Sequence, residues 1–170
     1  MNTFTDWQPF VLQVIQENKP KTIFEFGLGE GTELFLDNCE KVYSLELLAN
    51  PELQEWYDKM GEKYLERDNW KSYLFKCEDK MTGVIKMQVG SHLKRTKPDL
   101  VFVDPGVQFR GELVNICFKH KVPLVIAHDT NYGYEEENGD AYGWGLINPD
   151  GYETVEYQQG QGTILWKLIQ

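Results

Sequence analysis

Short, nearly continuous apolar segments alternate along the chain with longer segments whose apolar residues recur every three or four positions. The apolar segments are TIFEF (22–26), VYSLE (42–46), SYLFK (72–76), DLVFVD (99–104) and PLVIAHD (123–129). Strands of this kind, separated by helices, are typical of a parallel sheet that is covered on both faces. We therefore predict β–α units in an open, doubly wound α/β sheet, which would bind ligands beyond the carboxyl ends of its strands.

The pattern changes near the end of the chain. Residues 152–157 (YETVEY) and 163–168 (TILWKL) alternate with a period of two around the turn QQGQG, which predicts a C-terminal antiparallel β-hairpin at one sheet edge. A helix is expected before the first strand, capped by Thr5 or Asp6, and another is expected to begin at Asn50-Pro51. The stretch after the third strand fits no single pattern.

Length and composition indicate one globular domain, residues 1–170, with 41% hydrophobic residues. No apolar run approaches the ~20 residues of a membrane span, and the first residues lack the profile of a secretion signal. We therefore expect a cytoplasmic protein that binds no membrane. The three cysteines are scattered, which favours free thiols over a disulfide framework or a zinc site.

The formal net charge of −10 disfavours nucleic acid as a partner, because an acidic surface repels phosphate backbones. One stretch, HLKRTK at 92–97, is locally basic. We interpret it as the solvated end of a helix that precedes a strand.

Three glycines follow the first predicted strand in the segment EFGLGEGT: Gly27, Gly29 and Gly31. Glycine permits positive φ in a tight strand-to-helix turn, and the missing side chains let a ligand approach the backbone. Amides at the start of the following helix can donate hydrogen bonds to that ligand. The segment therefore indicates a ligand-binding turn, although a merely tight turn would show the same glycines.

An acid, Glu46, ends the second predicted strand, and its carboxylate could accept hydrogen bonds from both hydroxyls of a ribose. A surface glutamate is the alternative. The dinucleotide fingerprint G-x-G-x-x-G would place its third glycine at position 32, where this chain has Thr32. The spacing here is G-x-G-x-G.

EFGLGEGT, followed by Glu46, resembles motif I and the ribose-binding acid of class I S-adenosylmethionine-dependent methyltransferases. The resemblance covers nearly the whole chain, because those enzymes also have a β-hairpin at the sheet edge. It implies a mostly parallel, seven-stranded Rossmann-like sheet in the order 3-2-1-4-5-7-6. It also implies that Glu25 orients the methionine end of the cofactor and that Gly27, Gly29 and Gly31 line it. Glu46 would bind the ribose.

Two acids after the third strand, Glu78 and Asp79, are candidates to contact the adenine amino group of such a cofactor. Solvated loop acids are an equally simple interpretation of the same two residues.

Three polar residues end neighbouring predicted strands: Asp104 after strand four, and His128 with Asp129 after strand five. The pair of motifs resembles a metal-dependent O-methyltransferase subgroup, which includes catechol-type and macrolide-sugar enzymes. That resemblance implies Asp104 and Asp129 as ligands of a divalent cation such as Mg²⁺, with His128 as a third ligand or a general base. Such a cation lowers the pKa of a bound hydroxyl and fixes its position. Alternatively, Asp104 only contacts the cofactor or caps the next helix, and His128 is a satisfied loop histidine.

The segment DPGVQF departs from the pattern D-G-x-H-x-Y that sugar-modifying relatives often show after strand four. Val107 stands where their histidine would fall, and Phe109 stands at the aromatic position. The base would then be His128, or the metal would act alone. Arg110 is expected either to contact an anionic acceptor or to be exposed.

A long segment between strand five and the hairpin, residues 130–151, borders the predicted crevice. Its aromatic residues could stack on a sugar or aromatic ring, or could fold back over the sheet edge; they are Tyr132, Tyr134, Tyr142 and Trp144. Its acids would repel a polyanionic acceptor; they are Glu135, Glu136 and Glu137.

These features predict a methyltransferase that uses S-adenosylmethionine to methylate a hydroxyl of a small acceptor, such as a sugar, a glycan or a phenol, with or without Mg²⁺. Two alternatives stay open. An NAD-dependent oxidoreductase is opposed by Thr32 and by the terminal hairpin. A non-catalytic binding module that has kept the fold is left open by Val107.

Overall fold

The computed structural model describes residues 6–78, 80–131, 134–135 and 139–169, and at 134, 135 and 139 it describes the backbone alone. The helices are α1 (Gln8–Asn18), α2 (Thr32–Asn38), α3 (Glu52–Tyr64), α4 (Gly83–Thr96) and α5 (Arg110–Lys119), with a 3₁₀ turn at Trp144–Leu146. The strands are β1 (Thr22–Phe26), β2 (Lys41–Leu48), β3 (Trp70–Lys76), β4 (Leu100–Val103), β5 (Leu124–His128), β6 (Tyr134–Glu135), β7 (Gly139–Asp140), β8 (Tyr152–Tyr157) and β9 (Thr163–Leu168).

Seven strands form one sheet in the order β3-β2-β1-β4-β5-β9-β8. Strands β1 to β5 pair in parallel, whereas β9 is antiparallel to β5 and β8 is antiparallel to β9. Counted within this sheet alone, the order is 3-2-1-4-5-7-6, so the predicted fold class and the C-terminal hairpin are confirmed. The short strands β6 and β7 pair only with each other.

Helices cover the sheet on both faces, as the apolar strands predicted. On one face, α1, α2 and α3 bury side chains such as Val11, Phe35 and Met60 against the sheet. On the other face, α4 and α5 do the same with side chains such as Val89 and Leu113. Alternate residues of each strand therefore belong to different layers.

The first helix, α1, is not capped by Asp6. It begins at Gln8 after Trp7, and no side chain in the described part of the chain caps it. The Asp6 carboxylate instead binds the ring of His128 and the backbone N–H of Gln161. The alternative cap, Thr5, lies outside the described residues.

The helix α4 forms in the stretch that fitted no single sequence pattern. Its Thr82 side chain accepts a hydrogen bond from the backbone N–H of Ile85, which fixes the first turn. A Cβ at Gly90 would lie 2.7 Å from Nε2 of His120, so glycine at this position lets α4 and α5 approach each other. Gly90 thus has a packing role. No helix in the described ranges has the length and apolarity that a membrane span requires.

Candidate active site

A cavity of about 570 Å³ opens at the carboxyl ends of β1, β2 and β4. This volume falls in the range of roughly 300–1,000 Å³ that is typical of small-molecule sites. The cavity is lined by Trp7, Glu25, Gly27, Leu28, Gly29, Glu30, Gly31, Thr32, Phe35, Glu46, Leu53, Trp56, Phe102, Asp104 and Gly106. The sequence-predicted residues Glu25, Gly27, Gly29, Gly31, Glu46 and Asp104 are all in this lining.

The structure gives a different reason for glycine at each of the three positions of the turn. Gly27 has φ +94°, and a Cβ there would lie 2.3 Å from the backbone oxygen of Asp104, so no other residue fits. A Cβ at Gly31 would lie 2.5 Å from Cζ2 of Trp7. Gly29 has only an ordinary contact, 3.9 Å to Trp56, and therefore leaves open space in the cavity wall.

Glu46 lies two residues before the end of β2, beside the glycine turn, and is buried. Its Oε2 accepts a hydrogen bond from the N–H of Leu28 at 2.9 Å, and its Oε1 accepts one from the N–H of Leu47 at 3.2 Å. Burial raises the pKa of Glu46 to about 7, although the two backbone N–H groups act in the opposite direction. Each carboxylate oxygen has two lone pairs, so Glu46 keeps acceptor capacity for a ligand.

Glu25 lies beside Ser44 across the β1–β2 pair and is also buried. Its Oε1 accepts hydrogen bonds from the hydroxyls of Ser44 and Thr32, which leaves Oε2 for the cavity that Glu25 lines. Burial raises the pKa of Glu25 to about 8, and the nearby Glu46 and Asp104 carboxylates add to that effect. A cation bound in the cavity would favour the ionised forms of these two acids and would lower their pKa values.

Two tryptophans form walls of the cavity. Trp56 on α3 is partly exposed, and its indole N–H donates to the backbone oxygen of Leu28. Trp7 is 3% exposed and packs against Phe35 and Phe102 with ring centroids 5.9 and 4.5 Å away. The indole N–H of Trp7 has no hydrogen-bond partner among the described residues.

The three polar residues that end β4 and β5 do converge. Asp104 Oδ2 lies 3.5 Å from Nδ1 of His128, and Asp129 Oδ1 lies 3.3 Å from the same nitrogen. Asp104 is the member that lines the cavity. His128 is 3% exposed and lies behind it, with its Nε2 3.1 Å from Oδ1 of Asp6.

Arg110, at the start of α5, is buried rather than exposed, and its contact with an anionic acceptor stays a prediction. Its Nη1 donates to Asp104 Oδ1 at 2.9 Å and to Asp129 Oδ2 at 2.8 Å. Its guanidinium carbon lies 4.3 Å from the ring centroid of Tyr142. Arg110 therefore neutralises part of the charge of both carboxylates and connects them to the segment before the hairpin.

The pKa of His128 results from opposing effects. Burial by itself lowers it, but the contact with Asp104 and its charge, followed by the charges of Asp129 and Asp6, raise it above its ordinary value. Burial and the Asp104 charge raise the pKa of Asp129, against the opposing effects of His128 and Arg110. The charge of each of these two residues thus acts on the pKa of the other.

The donor atoms fit a small cation. Asp104, His128 and Asp129 each offer one ligand atom, and these atoms lie within 4.8 Å of one another. Two of the facing atoms, Nδ1 of His128 and Oδ1 of Asp129, have no hydrogen-bond partner in the described part of the chain. Arg110 binds the oxygens on the other side of the carboxylates, so the facing atoms stay available.

Comparison with known proteins bears on the fold. No protein-family model matches the chain, and no curated protein matches it either. Among solved structures, an O-methyltransferase from Bacillus cereus in complex with SAH (S-adenosylhomocysteine) is similar, with a TM-score of 0.66, 17% identity, and coverage of 94% of this chain and 79% of that one. An SAH-bound methyltransferase from Podospora anserina has a TM-score of 0.64 and 14% identity, over 95% of this chain and 77% of that one. An N-methyltransferase from Bradyrhizobium japonicum has a TM-score of 0.56 and 12% identity, over 99% and 98%.

The chain has the class I methyltransferase fold. Neighbours with this fold include both O- and N-methyltransferases, so the fold does not specify the accepting atom. The geometry of this chain's own site has to carry that inference.

The adenine role predicted for Glu78 and Asp79 receives no support from the cavity. Glu78 is exposed, ion-paired with Lys80, and absent from the lining residues that the structure describes. Asp79 lies outside the described residues. Both assignments stay predictions.

Val107 and Phe109 are buried in the core between the sheet and the α4–α5 layer. The departure from the D-G-x-H-x-Y pattern is therefore a packing feature, and no base comes from this loop. Trp144 is also buried in that core, so it folds back rather than facing the crevice. Tyr142 packs against Arg110, while Tyr132 and the side chain of Tyr134 lie outside the described residues.

Three contributors to the site were missed by sequence reasoning: Asp6, Trp7 and the bridging role of Arg110. In the sequence, Asp6 and Trp7 indicate only the start of a helix. Their contacts with His128 and Gly31 join residues that are distant in sequence, and such contacts leave no local pattern. The sequence shows Arg110 six positions after Asp104, but it does not show that this arginine is buried.

Proposed function

We propose that this protein is a methyltransferase that uses S-adenosylmethionine to methylate a hydroxyl group of a small acceptor. The observation that carries the proposal is the cavity wall, where the open turn at Gly29 faces the buried carboxylate of Glu46. In this proposal the turn binds the donor, Glu46 accepts hydrogen bonds from its ribose hydroxyls, and Glu25 faces its ammonium group.

The charges of the cavity support a cationic ligand. Glu25, Glu46 and Asp104 line it together, and burial raises the pKa of the first two. A positively charged ligand would stabilise their ionised forms, whereas an anionic ligand would not. S-adenosylmethionine carries a sulfonium and an ammonium group, whereas a dinucleotide carries a negatively charged pyrophosphate. The same carboxylates disfavour an anionic acceptor and favour a neutral one, such as a sugar or a phenol.

The reaction transfers a methyl group from sulfur to oxygen. The methyl carbon–sulfur bond breaks with its electron pair left on sulfur, a carbon–oxygen bond forms, and the sulfonium becomes a neutral thioether. The hydroxyl proton has to leave, and Asp104 is the member of the Asp104, His128 and Asp129 cluster that lines the cavity. His128 lies behind Asp104 and can take that proton onward through Nδ1.

A divalent cation fits the same residues. Asp104, His128 and Asp129 would hold it, and it would lower the pKa of a hydroxyl bound to it. Arg110 also places a positive charge at these carboxylates and could replace part of the effect of the cation. We therefore expect that removal of the metal by chelation reduces the rate of transfer but does not abolish it.

The proposal is tested by titrating the protein with S-adenosylhomocysteine and, in parallel, with NADH. Binding of the first alone is expected, and binding of NADH alone would support the oxidoreductase instead. Incubation with methyl-labelled donor and a panel of sugars and phenols, before and after treatment with EDTA, then tests transfer. Asp104→Asn and Asp129→Asn should abolish transfer but leave donor affinity largely unchanged. Donor affinity without transfer to any acceptor would favour the non-catalytic binding module.

A further inference from the structure

Two side chains of α3 bind the backbone of the glycine turn, residues 27–31. The indole N–H of Trp56 donates a hydrogen bond to the oxygen of Leu28. The hydroxyl of Tyr64 donates to the oxygen of Gly29 at 3.0 Å, and it lies 3.4 Å from the oxygen of Glu30. One helix thus contacts three consecutive carbonyl groups of the turn.

The turn needs such contacts, because glycine has more backbone freedom than any other residue and loses more of it when it is ordered. Close packing restricts Gly27 and Gly31, where a Cβ would lie within 2.5 Å of another atom. At Gly29 a Cβ would have one ordinary contact, 3.9 Å from Trp56. The hydrogen bond from Tyr64 to the Gly29 oxygen therefore supplies a restraint that packing does not.

Tyr64 itself stands outside the cavity. It is 3% exposed and is not among the described residues that line the cavity. Its ring packs edge-on against Trp70, with the ring centroids 5.7 Å apart. Burial raises the pKa of Tyr64, so the hydroxyl keeps its proton at neutral pH and can donate it. Any effect of this hydroxyl on a ligand in the cavity has to pass through the turn.

A chain of hydrogen bonds leads from Tyr64 to an acid of the cavity. The Gly29 oxygen that binds Tyr64 also accepts a hydrogen bond from the N–H of Thr32 at 3.2 Å. Oγ1 of Thr32 accepts from the N–H of Gly29 at 3.1 Å and donates to Oε1 of Glu25 at 2.8 Å. The hydroxyl of Tyr64 is therefore connected, through Gly29 and Thr32, to a carboxylate that lines the cavity.

We propose that Tyr64 is a positioning residue of the donor site, whose hydroxyl holds the glycine turn in its binding shape before S-adenosylmethionine arrives. The identity of the donor rests on the proposed function, whereas the restraint on the turn does not. A segment that is ordered in advance loses less conformational entropy on binding, and its affinity for the ligand is correspondingly higher. Trp56 supports the same turn, but it also lines the cavity, so Tyr64 is the residue that isolates the effect.

The restraint can be measured without any ligand. Tyr64→Phe removes the hydroxyl and keeps the ring against Trp70. Amide hydrogen exchange followed by NMR should show the N–H groups of Leu28, Gly29 and Thr32 protected in the ligand-free wild type. In Tyr64→Phe the same three groups should exchange about tenfold faster, since the turn opens locally more often. Unprotected amides in the wild type would overturn the proposal even if the variant does not fold, and unchanged exchange in a folded variant would overturn it as well.

A matched control lies on the same face of α3, two turns before Tyr64. The hydroxyl of Tyr57 is 2.8 Å from Oγ of Ser72 on β3 and does not contact the turn. Tyr57→Phe removes the same atom from the same helix, so it should leave amide exchange in the turn and donor affinity as in the wild type. If Tyr57→Phe changes both as Tyr64→Phe does, a general loosening of α3 is responsible and the proposal is wrong.

Donor binding distinguishes positioning from simple stabilisation. Calorimetric titration with S-adenosylhomocysteine should show affinity about tenfold weaker in Tyr64→Phe than in the wild type. The KM for S-adenosylmethionine should rise while kcat at saturating donor stays close to the wild-type value, because the bound donor itself restores the shape of the turn. A purely structural role predicts a lower melting temperature with unchanged affinity of the folded protein, and that result would overturn the proposal.

The inference and the proposed function can fail independently. A wild type that has a protected turn, loses this protection in Tyr64→Phe and yet binds no S-adenosylhomocysteine would contradict the proposed function alone. Equal affinity for S-adenosylhomocysteine in the wild type and in Tyr64→Phe would contradict the positioning role alone.

Discussion

Gly31 lies directly against the indole of Trp7, so closely that a Cβ at Gly31 would be 2.5 Å from Cζ2 of the ring. The third glycine of the turn is therefore required by a buried tryptophan of the same chain. Gly29, two residues earlier, has room for a methyl group but faces the cavity. The two positions should respond differently to the same substitution.

We predict that Gly31→Ala destabilises the fold, because the buried Trp7 ring has to move. Overpacking of this kind costs about 1–3 kcal/mol. Gly29→Ala should leave the melting temperature nearly unchanged and weaken binding of S-adenosylhomocysteine, since its new methyl group enters the cavity. Thermal melts and calorimetric titration of both variants measure this. Equal melting temperatures for the two variants would contradict the packing explanation.

We predict that Glu46→Gln weakens donor binding by about 1–3 kcal/mol, the cost of losing a charged hydrogen-bonding partner. The substitution keeps the shape of the side chain and one acceptor oxygen for Leu28. Glu52→Gln, on the exposed first turn of α3, is the matched control and should bind like the wild type. Unchanged calorimetric affinity in Glu46→Gln would remove the ribose role from this residue.

We predict that Glu25 makes the fold less stable as the pH rises. Its pKa is raised from 4.5 to about 8, so the folded state holds a proton that the unfolded state has lost between these values. The free energy of unfolding should therefore fall as the pH rises through this window. In Glu25→Gln the decrease should be smaller, while the contribution of Glu46, with its pKa of about 7, is retained. Urea unfolding between pH 5 and pH 8 measures the difference, and parallel curves for the two proteins would refute the assignment.

We predict that Arg110→Met lowers the free energy of unfolding by about 3–5 kcal/mol, because two largely buried carboxylates lose their shared partner. One nitrogen makes both contacts, so Arg110→Lys can replace part of the interaction and should cost less. Adding Asp129→Asn to Arg110→Met should restore part of the loss. Denaturant unfolding of the three variants checks this order, and a methionine variant as stable as wild type would contradict it.

The fold was predictable because its signals are local. Continuous apolar strands, the glycine turn and the period-two hairpin each lie within a few consecutive residues. Together they predicted a doubly wound sheet with a hairpin at one edge, and the resemblance to class I methyltransferases supplied the strand order. The same holds for Glu46 and Asp104, which strand ends bring to the cavity. Once a parallel strand is predicted, the residue at its carboxyl end is expected at the ligand-binding edge of the sheet.

The interior of the site was less predictable, since its contacts depend on side chains that are distant in sequence. Aspartate near the start of a helix often caps it, but the carboxylate of Asp6 instead binds His128, 122 positions away. Arginine is usually exposed, yet Arg110 is buried because two carboxylates bind its guanidinium group. The side chain of Trp144 could have stacked on a ring of the acceptor, but it is instead buried in the core.

The central claim is that the cavity between the glycine turn and Glu46 binds S-adenosylmethionine. A crystal structure of the protein grown with S-adenosylhomocysteine tests it most directly. The account predicts density in that cavity, with the two ribose hydroxyls within hydrogen-bonding distance of the Glu46 carboxylate. Density for the ligand elsewhere, or a cavity without ligand density at saturating ligand, would contradict it.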